Sequence, residues 1–98
     1  MKTLEEIKQI LADHKTELQE RYSVQDVGIF GSYVRGDQNP GSDVDVLVSF
    51  SRPVGWDVVD VHDYLEHILG AKVDMVTKRA AMGKPLLWRS IQEDLVHV

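Results

Sequence analysis

The run Gly31-Ser32-Tyr33-Val34-Arg35-Gly36-Asp37-Gln38-Asn39-Pro40-Gly41-Ser42-Asp43-Val44-Asp45 sets a glycine-serine turn at a fixed distance ahead of two aspartates separated by one residue. Upstream, Val24 to Phe30 has the length and β-branched content of a short strand; downstream, Val44, Val46, Val48 and Phe50 alternate along a second, which Pro53 and Gly55 bring to an end. The connection over 31–42 is too long for a two-residue hairpin and carries three glycines and a proline. It is expected to hold one short helical turn around Ser32 to Arg35. Both polar features therefore fall at strand ends, where a buried scaffold can hold them rigidly.

Period two puts Asp43, Asp45 and Leu47 together on the face opposite the valines. Residues i and i+2 of a strand point the same way, about 7 Å apart along the chain, so the two carboxylates can lean onto one site. Two ionised carboxylates about 5 Å apart repel by ~3 kcal/mol at an effective dielectric near 20, a cost that a bound Mg²⁺ or Mn²⁺ offsets. Asp74 interrupts Lys72-Val73-Asp74-Met75-Val76, an otherwise apolar strand in which aspartate has poor propensity and is expensive to bury alone. A neighbouring strand could bring it beside Asp43 and Asp45, completing a carboxylate cluster able to hold two metal ions about 4 Å apart. Ahead of them, Gly31 and Ser32 lie where a strand gives way to a helical turn, whose free N–H groups can receive phosphate oxygens; glycine allows close approach and serine adds a hydroxyl. The chain has neither G-x-G-x-x-G nor G-x-x-x-x-G-K-[ST], so dinucleotide and P-loop readings fail.

Elsewhere, Thr3-Leu4-Glu5-Glu6 has the form of a capping box, and Leu4, Ile7, Leu11, Leu18 and Tyr22 recur at helical spacing, predicting one long first helix ending near Tyr22. His14 on its stripe reads as a boundary residue with a satisfied ring. Val58, Val61, His62, Leu65, Ile68 and Leu69 predict a helix over 57–69 that Gly70 stops, and Pro85 can open a last helix carrying Leu86, Leu87, Trp88, Ile91 and Leu95. Val96 to Val98 finish as a short extended end. With no repeat or linker in view, the expected fold class is α/β (α+β): one domain over residues 1–98, with a small three-stranded sheet packed by about four helices.

Ninety-eight residues suffice for one core but not for a second catalytic or substrate domain. The chain has no cysteine, which excludes disulfides, zinc-thiolate sites and thiol nucleophiles. Eleven basic against sixteen acidic side chains, a net charge of −5, argue against direct binding to a nucleic-acid backbone. The charged Lys2–Lys8 segment is neither a signal peptide nor a membrane span, so the expectation is a cytoplasmic protein without a membrane partner.

Gly31-Ser32, ten residues, then Asp43-x-Asp45 resembles the signature of the DNA polymerase β nucleotidyltransferase superfamily. With Arg35-Gly36 and Ser42 between, the run is similar to the minimal nucleotidyltransferases, small prokaryotic proteins often paired as antitoxins with HEPN-domain toxins. The likeness covers nearly the whole chain and implies that family's mixed sheet. It also implies that Asp43 and Asp45 coordinate two Mg²⁺ ions, that Asp74 holds the second and helps deprotonate the nucleophile, and that Gly31 and Ser32 bind the outgoing phosphates. Ser42 would orient the carboxylate pair, and Arg35 would contact phosphate or form a surface ion pair. The reaction implied is transfer of a nucleotidyl group, AMP from ATP, to a hydroxyl acceptor, a tyrosine of a partner HEPN toxin.

Two other readings stay open: a binding module that silences its partner by occlusion, and nucleotidyl transfer to a small molecule or an RNA 3′ end. Complete retention of Ser32, Asp43 and Asp45 favours turnover over occlusion, and the lack of room for an acceptor domain weighs against the third. Asp57, Asp60, Asp63 and Glu66 read as a solvated helix face, His62 and His67 do not match the i, i+4 zinc spacing, and Trp56 and Trp88 read as core or edge packing. Arg52, Lys78 and Arg79 flank the acidic residues in sequence, which does not decide whether they face a triphosphate.

Overall fold

A computed structural model describes residues 2–98, leaving Met1 of the expected domain outside the described residues. The elements run α1 (Leu4–Asp13), α2 (Lys15–Tyr22), β1 (Val24–Phe30), α3 (Ser32–Arg35), β2 (Val44–Phe50), α4 (Asp57–Leu69), β3 (Val73–Thr77), α5 (Lys78–Met82), α6 (Pro85–Asp94) and β4 (Val96–His97). The strands form one mixed sheet in the order β3-β2-β1-β4, with β1 antiparallel to both β2 and β4, and β2 parallel to β3. The fold class is as expected, with a fourth strand and two more helices than anticipated.

Each difference has a local cause. The first helix starts on the expected capping box, the Thr3 hydroxyl accepting from Glu6 N–H and the Glu6 carboxylate from Thr3 N–H. It then breaks at His14, whose backbone leaves the helical region while its ring Nδ1 donates to Ile10 O at 2.7 Å. The ring is thus satisfied at a boundary, as expected, but the boundary also divides the helix. Helix α5 is only five residues, too short for periodicity to register, and is opened by the Thr77 hydroxyl accepting from Ala80 N–H. Strand β4 pairs just two residues with Gly28 and Ile29 of β1.

Alternation along β2 separates two faces. Val44, Val46 and Val48, at 0, 0 and 1% exposure, join Ile29, Ile7, Leu11, Leu65 and Leu69 in the main core beneath α1, α2 and α4. Burying each such side chain contributes roughly 1.5–3 kcal/mol, so this face carries most of the fold's stability. The opposite face is covered only in part: Leu47 packs with Ala81 of α5 and Ile91 of α6, flanked by Phe30, Val76, Trp88 and Leu95. Trp56 departs from the expectation of packing and stands 90% exposed, because it precedes the first turn of α4 instead of falling on its buried Val61–Leu65–Leu69 stripe.

Candidate active site

On the partly covered face, register sets the site. β2 and β3 run parallel with Asp45 directly opposite Asp74, while across β2 the partner of Asp45 is Phe30, the last residue of β1. One row of the sheet therefore reads Phe30, Asp45, Asp74, and the next reads Gly28, Leu47, Val76. The α5–α6 layer closes over Leu47, whereas Asp45 is half-buried and Asp74 exposed. Asp43 lies just ahead of β2, exposed and two residues from Asp45.

Like charges directly opposite each other destabilise a sheet. The strain is visible in Asp45, whose carboxyl is pushed up to about 6 by burial first, then by the charge of Asp74 and a hydrogen bond shared with it, then by Asp43; Arg35 opposes the rise. The ligand atoms of Asp43, Asp45 and Asp74 do not all lie within 4.8 Å of one another; among the described residues, His62, Asp63 and Glu66 form the one group that does. An all-oxygen carboxylate set carrying an uncompensated charge suits Mg²⁺ or Mn²⁺.

The end of β1 brings Gly31 against this row. Its backbone (φ 77°, ψ −149°) lies in a region open essentially to glycine alone, and a Cβ built on it would run into Asp45 Oδ2, with Asp45 Cγ at 3.0 Å. Gly31 O then accepts from both Val34 N–H and Arg35 N–H. The N–H groups of Ser32 and Tyr33, the first two of this turn, have no intrahelical partner. Ser32 is half-buried beside them.

The remaining expected residues sit at the margin. The Ser42 hydroxyl accepts from Asn39 N–H at 3.0 Å and its N–H donates to Asn39 O at 2.9 Å, so it braces the loop entering β2. Arg35 spans two carboxylates, Nη1 to Asp94 at 2.8 Å and Nε to Asp37 at 3.2 Å, which raise its already high pKa. As these ion pairs are solvent-exposed, Arg35→Gln is expected to leave the melting temperature nearly unchanged. A thermal scan of the variant checks this. A groove of about 550 Å³ opens beside Asp43, lined by Tyr33, Pro40, Ser42, Ala71 and Lys72. A larger one of about 790 Å³, between α2 and α4, shares no residue with the acid row.

The family described as nucleotidyltransferase domain matches residues 11–98. The chain belongs to the nucleotidyltransferase family. This nucleotidyltransferase is 45% identical over 101 residues to a Methanocaldococcus jannaschii relative, the match covering both chains completely. It is 43% identical over 99 residues to protein adenylyltransferase MntA of Thermococcus cleftensis, covering 100% of this chain and 98% of that one. A solved minimal nucleotidyltransferase superposes with a TM-score of 0.74 at 27% identity, covering 94% and 95% of the two chains. An antitoxin-containing structure determined with AMP-PNP shares the fold, with a TM-score of 0.69 at 23% identity over 87% of this chain and 69% of that one.

Reading the sequence missed two neighbours of the acid row in this nucleotidyltransferase. Glu66, assigned there to a solvated helix face, accepts from Val73 N–H at 2.9 Å, and His62 Nε2 lies 2.9 Å from Val73 O. A signal was present: an acid and a histidine four apart face one side of a helix that ends just before the strand bearing Asp74. Arg52, Lys78 and Arg79 lie at the far end instead, with Lys78 and Arg79 after β3 and Arg52 bonded through Nε to Ser23 Oγ at 2.7 Å.

Proposed function

We propose that this enzyme transfers AMP from ATP to a tyrosine hydroxyl of a partner HEPN-domain toxin in the cytoplasm, and so acts as its antitoxin. The observation that carries the reading is the cross-strand apposition of Asp45 and Asp74, two carboxylates held face to face where burial first, and then the charge of Asp74, make ionisation of Asp45 costly. Such a cost persists in a fold when function uses it. It is supported by the relative named protein adenylyltransferase MntA. Chains of the same fold also occur in a toxin–antitoxin structure with AMP-PNP and in one with an AMPylated HEPN toxin.

In this reading Asp43, Asp45 and Asp74 hold the divalent ions, Mg²⁺ or Mn²⁺, which when bound offset triphosphate charge and lower the pKa of the attacking hydroxyl. The free N–H groups after Gly31 and the Ser32 hydroxyl take oxygens of the β and γ phosphates. Asp74, the exposed member of the facing pair, receives the acceptor's proton. The tyrosine oxygen then forms a bond to the α-phosphorus in line with the bond that breaks to the bridging oxygen, and pyrophosphate departs. Ser42 keeps the loop before Asp43 in place, and Arg35 stands close enough to influence Asp45 electrostatically.

The test is to incubate the protein with Mg²⁺, each nucleoside triphosphate in turn and the product of the adjacent gene, then weigh that product by intact mass spectrometry. The expected result is AMP-sized increments with ATP that map to tyrosine. Growth rescue by the protein with no adduct would instead establish inhibition by occlusion.

A further inference from the structure

We propose that His62 and Glu66 are positioning residues that aim Asp74 at the metal site. The proposal rests on the reading that Asp74 is a ligand for a divalent ion. β3 is the outer strand of the sheet, paired with β2 on one side only. At its other edge the backbone groups of Val73 lack a neighbouring strand, and a free edge of this kind is where a sheet is loosest. α4 supplies the missing partners from side chains one turn apart. Glu66 Oε2 accepts from Val73 N–H at 2.9 Å, and His62 Nε2 donates to Val73 O at 2.9 Å, since a carbonyl oxygen can only accept.

The two bonds grip the two peptide planes that flank Val73. The carbonyl held by His62 belongs to the same rigid plane as the N–H of Asp74, so fixing it fixes the orientation from which the Asp74 side chain departs. The Val73 side chain is buried on the main-core face, and pairing with β2 holds the other edge. Asp74 itself is exposed and, among the described residues, hydrogen-bonds to no side chain other than Asp45. Its aim is therefore set by the backbone beneath it, and the backbone is set on its open side by His62 and Glu66. Partners of this outer kind, when removed, typically weaken metal binding by about 10–100-fold.

His62, Asp63 and Glu66 also form a group whose ligand atoms lie within 4.8 Å of one another, so the experiment must separate aiming from direct coordination. Mn²⁺ alone is titrated into the metal-free full chain and followed by electron paramagnetic resonance, with thermal scans of each variant to hold folding constant. His62→Ala and Glu66→Ala are expected to weaken Mn²⁺ binding about tenfold while remaining folded at the assay temperature. Glu66→Gln, whose amide oxygen still accepts from Val73 N–H, is expected to bind Mn²⁺ like the unmodified protein, as is Asp63→Ala. Asp74→Asn is expected to lose binding. Tight Mn²⁺ binding in both alanine variants would overturn the positioning role alone. A loss in Glu66→Gln or Asp63→Ala equal to that in Glu66→Ala would overturn it in favour of direct coordination. Undiminished binding in Asp74→Asn would overturn the metal-site reading on which it rests.

Discussion

Gly31→Ala is expected to lower the melting temperature by about 15 °C and to abolish nucleotidyl transfer. Two costs act at one atom. The backbone at Gly31 sits at φ 77° and ψ −149°, where a side chain is strained by roughly 1–3 kcal/mol. The added methyl would also occupy the place of Asp45 Oδ2, and an overpacked position costs roughly 1–3 kcal/mol more. Together about 3 kcal/mol, at roughly 4–8 °C per kcal/mol for a domain of this size, gives the predicted fall. The Asp45 carboxylate has to leave its present place to relieve the clash, so activity should vanish even below the new melting temperature. Gly36→Ala is the matched control. Its φ is 81°, yet nothing lies within 4 Å of the added carbon, so it should lose a little stability and keep its activity. Thermal scans and transfer assays on the pair decide the matter; equal loss of activity in both would show that strain in the loop, not the carboxylate's position, is what counts.

Gly31 and Asp45 also show which parts of the site could be read in advance. The alternation of Val44, Val46 and Val48 announced a strand with Asp45 on its other face, and the burial of those valines and the pairing of Asp45 with Asp74 bear this out, while Asp43 falls just ahead of the strand. Asp74 stood out as a charge within an apolar strand. What no local pattern carried was register. That Asp45 faces Asp74, and not Val73 or Met75, depends on how two strands separated by a thirteen-residue helix come together, and a slip of one residue would turn Asp74 away. For the same reason the contact between Gly31 and Asp45 was invisible, since it is made across β1 and β2.

The fold's smaller features were legible only in part, with an extended end expected at Val96 to Val98 but not its place in the sheet, and α5 not foreseen at all. β4 is two residues long and α5 five, below the length at which a period of 2 or 3.6 can be recognised. They nevertheless shape the site, because α5 and α6 cover Leu47 and leave the neighbouring Asp45 row open. Glu66 reads as part of a solvated helix face, and His62 matches no zinc spacing with His67, so neither stands out in the sequence. In the fold they face the outer edge of β3, where the backbone groups of Val73 have no strand partner.

The second large effect is opposite in sign for stability and for function. Asp45→Asn is expected to reduce nucleotidyl transfer by about 10³-fold, the scale set by losing several kcal/mol of metal-dependent stabilisation. In metal-free buffer at pH 7.5 the same variant is expected to melt about 5 °C higher than the unmodified protein. The Asp45 carboxyl titrates near 6 in the folded chain against 3.8 when free, so the folded state binds its proton more tightly than the unfolded state does. A group of this kind favours folding fully below the lower value, and the benefit is lost as the pH rises through the upper one. Above pH 6 the folded protein therefore carries the whole cost of an ionised Asp45 that is half-buried and faces Asp74, about 1 kcal/mol once solvent screening is allowed for, and asparagine removes it. Lowering the pH from 7.5 to 5 should shrink the difference as Asp45 takes up its proton. Adding Mg²⁺ and ATP should reverse it, since ligands that bind only the folded state raise the melting temperature of the unmodified protein and leave the variant where it was. Melting curves across pH, with and without Mg²⁺ and ATP, test both halves, and a variant no more stable than the unmodified protein at pH 7.5 would show that the facing carboxylates carry no cost for a metal to offset.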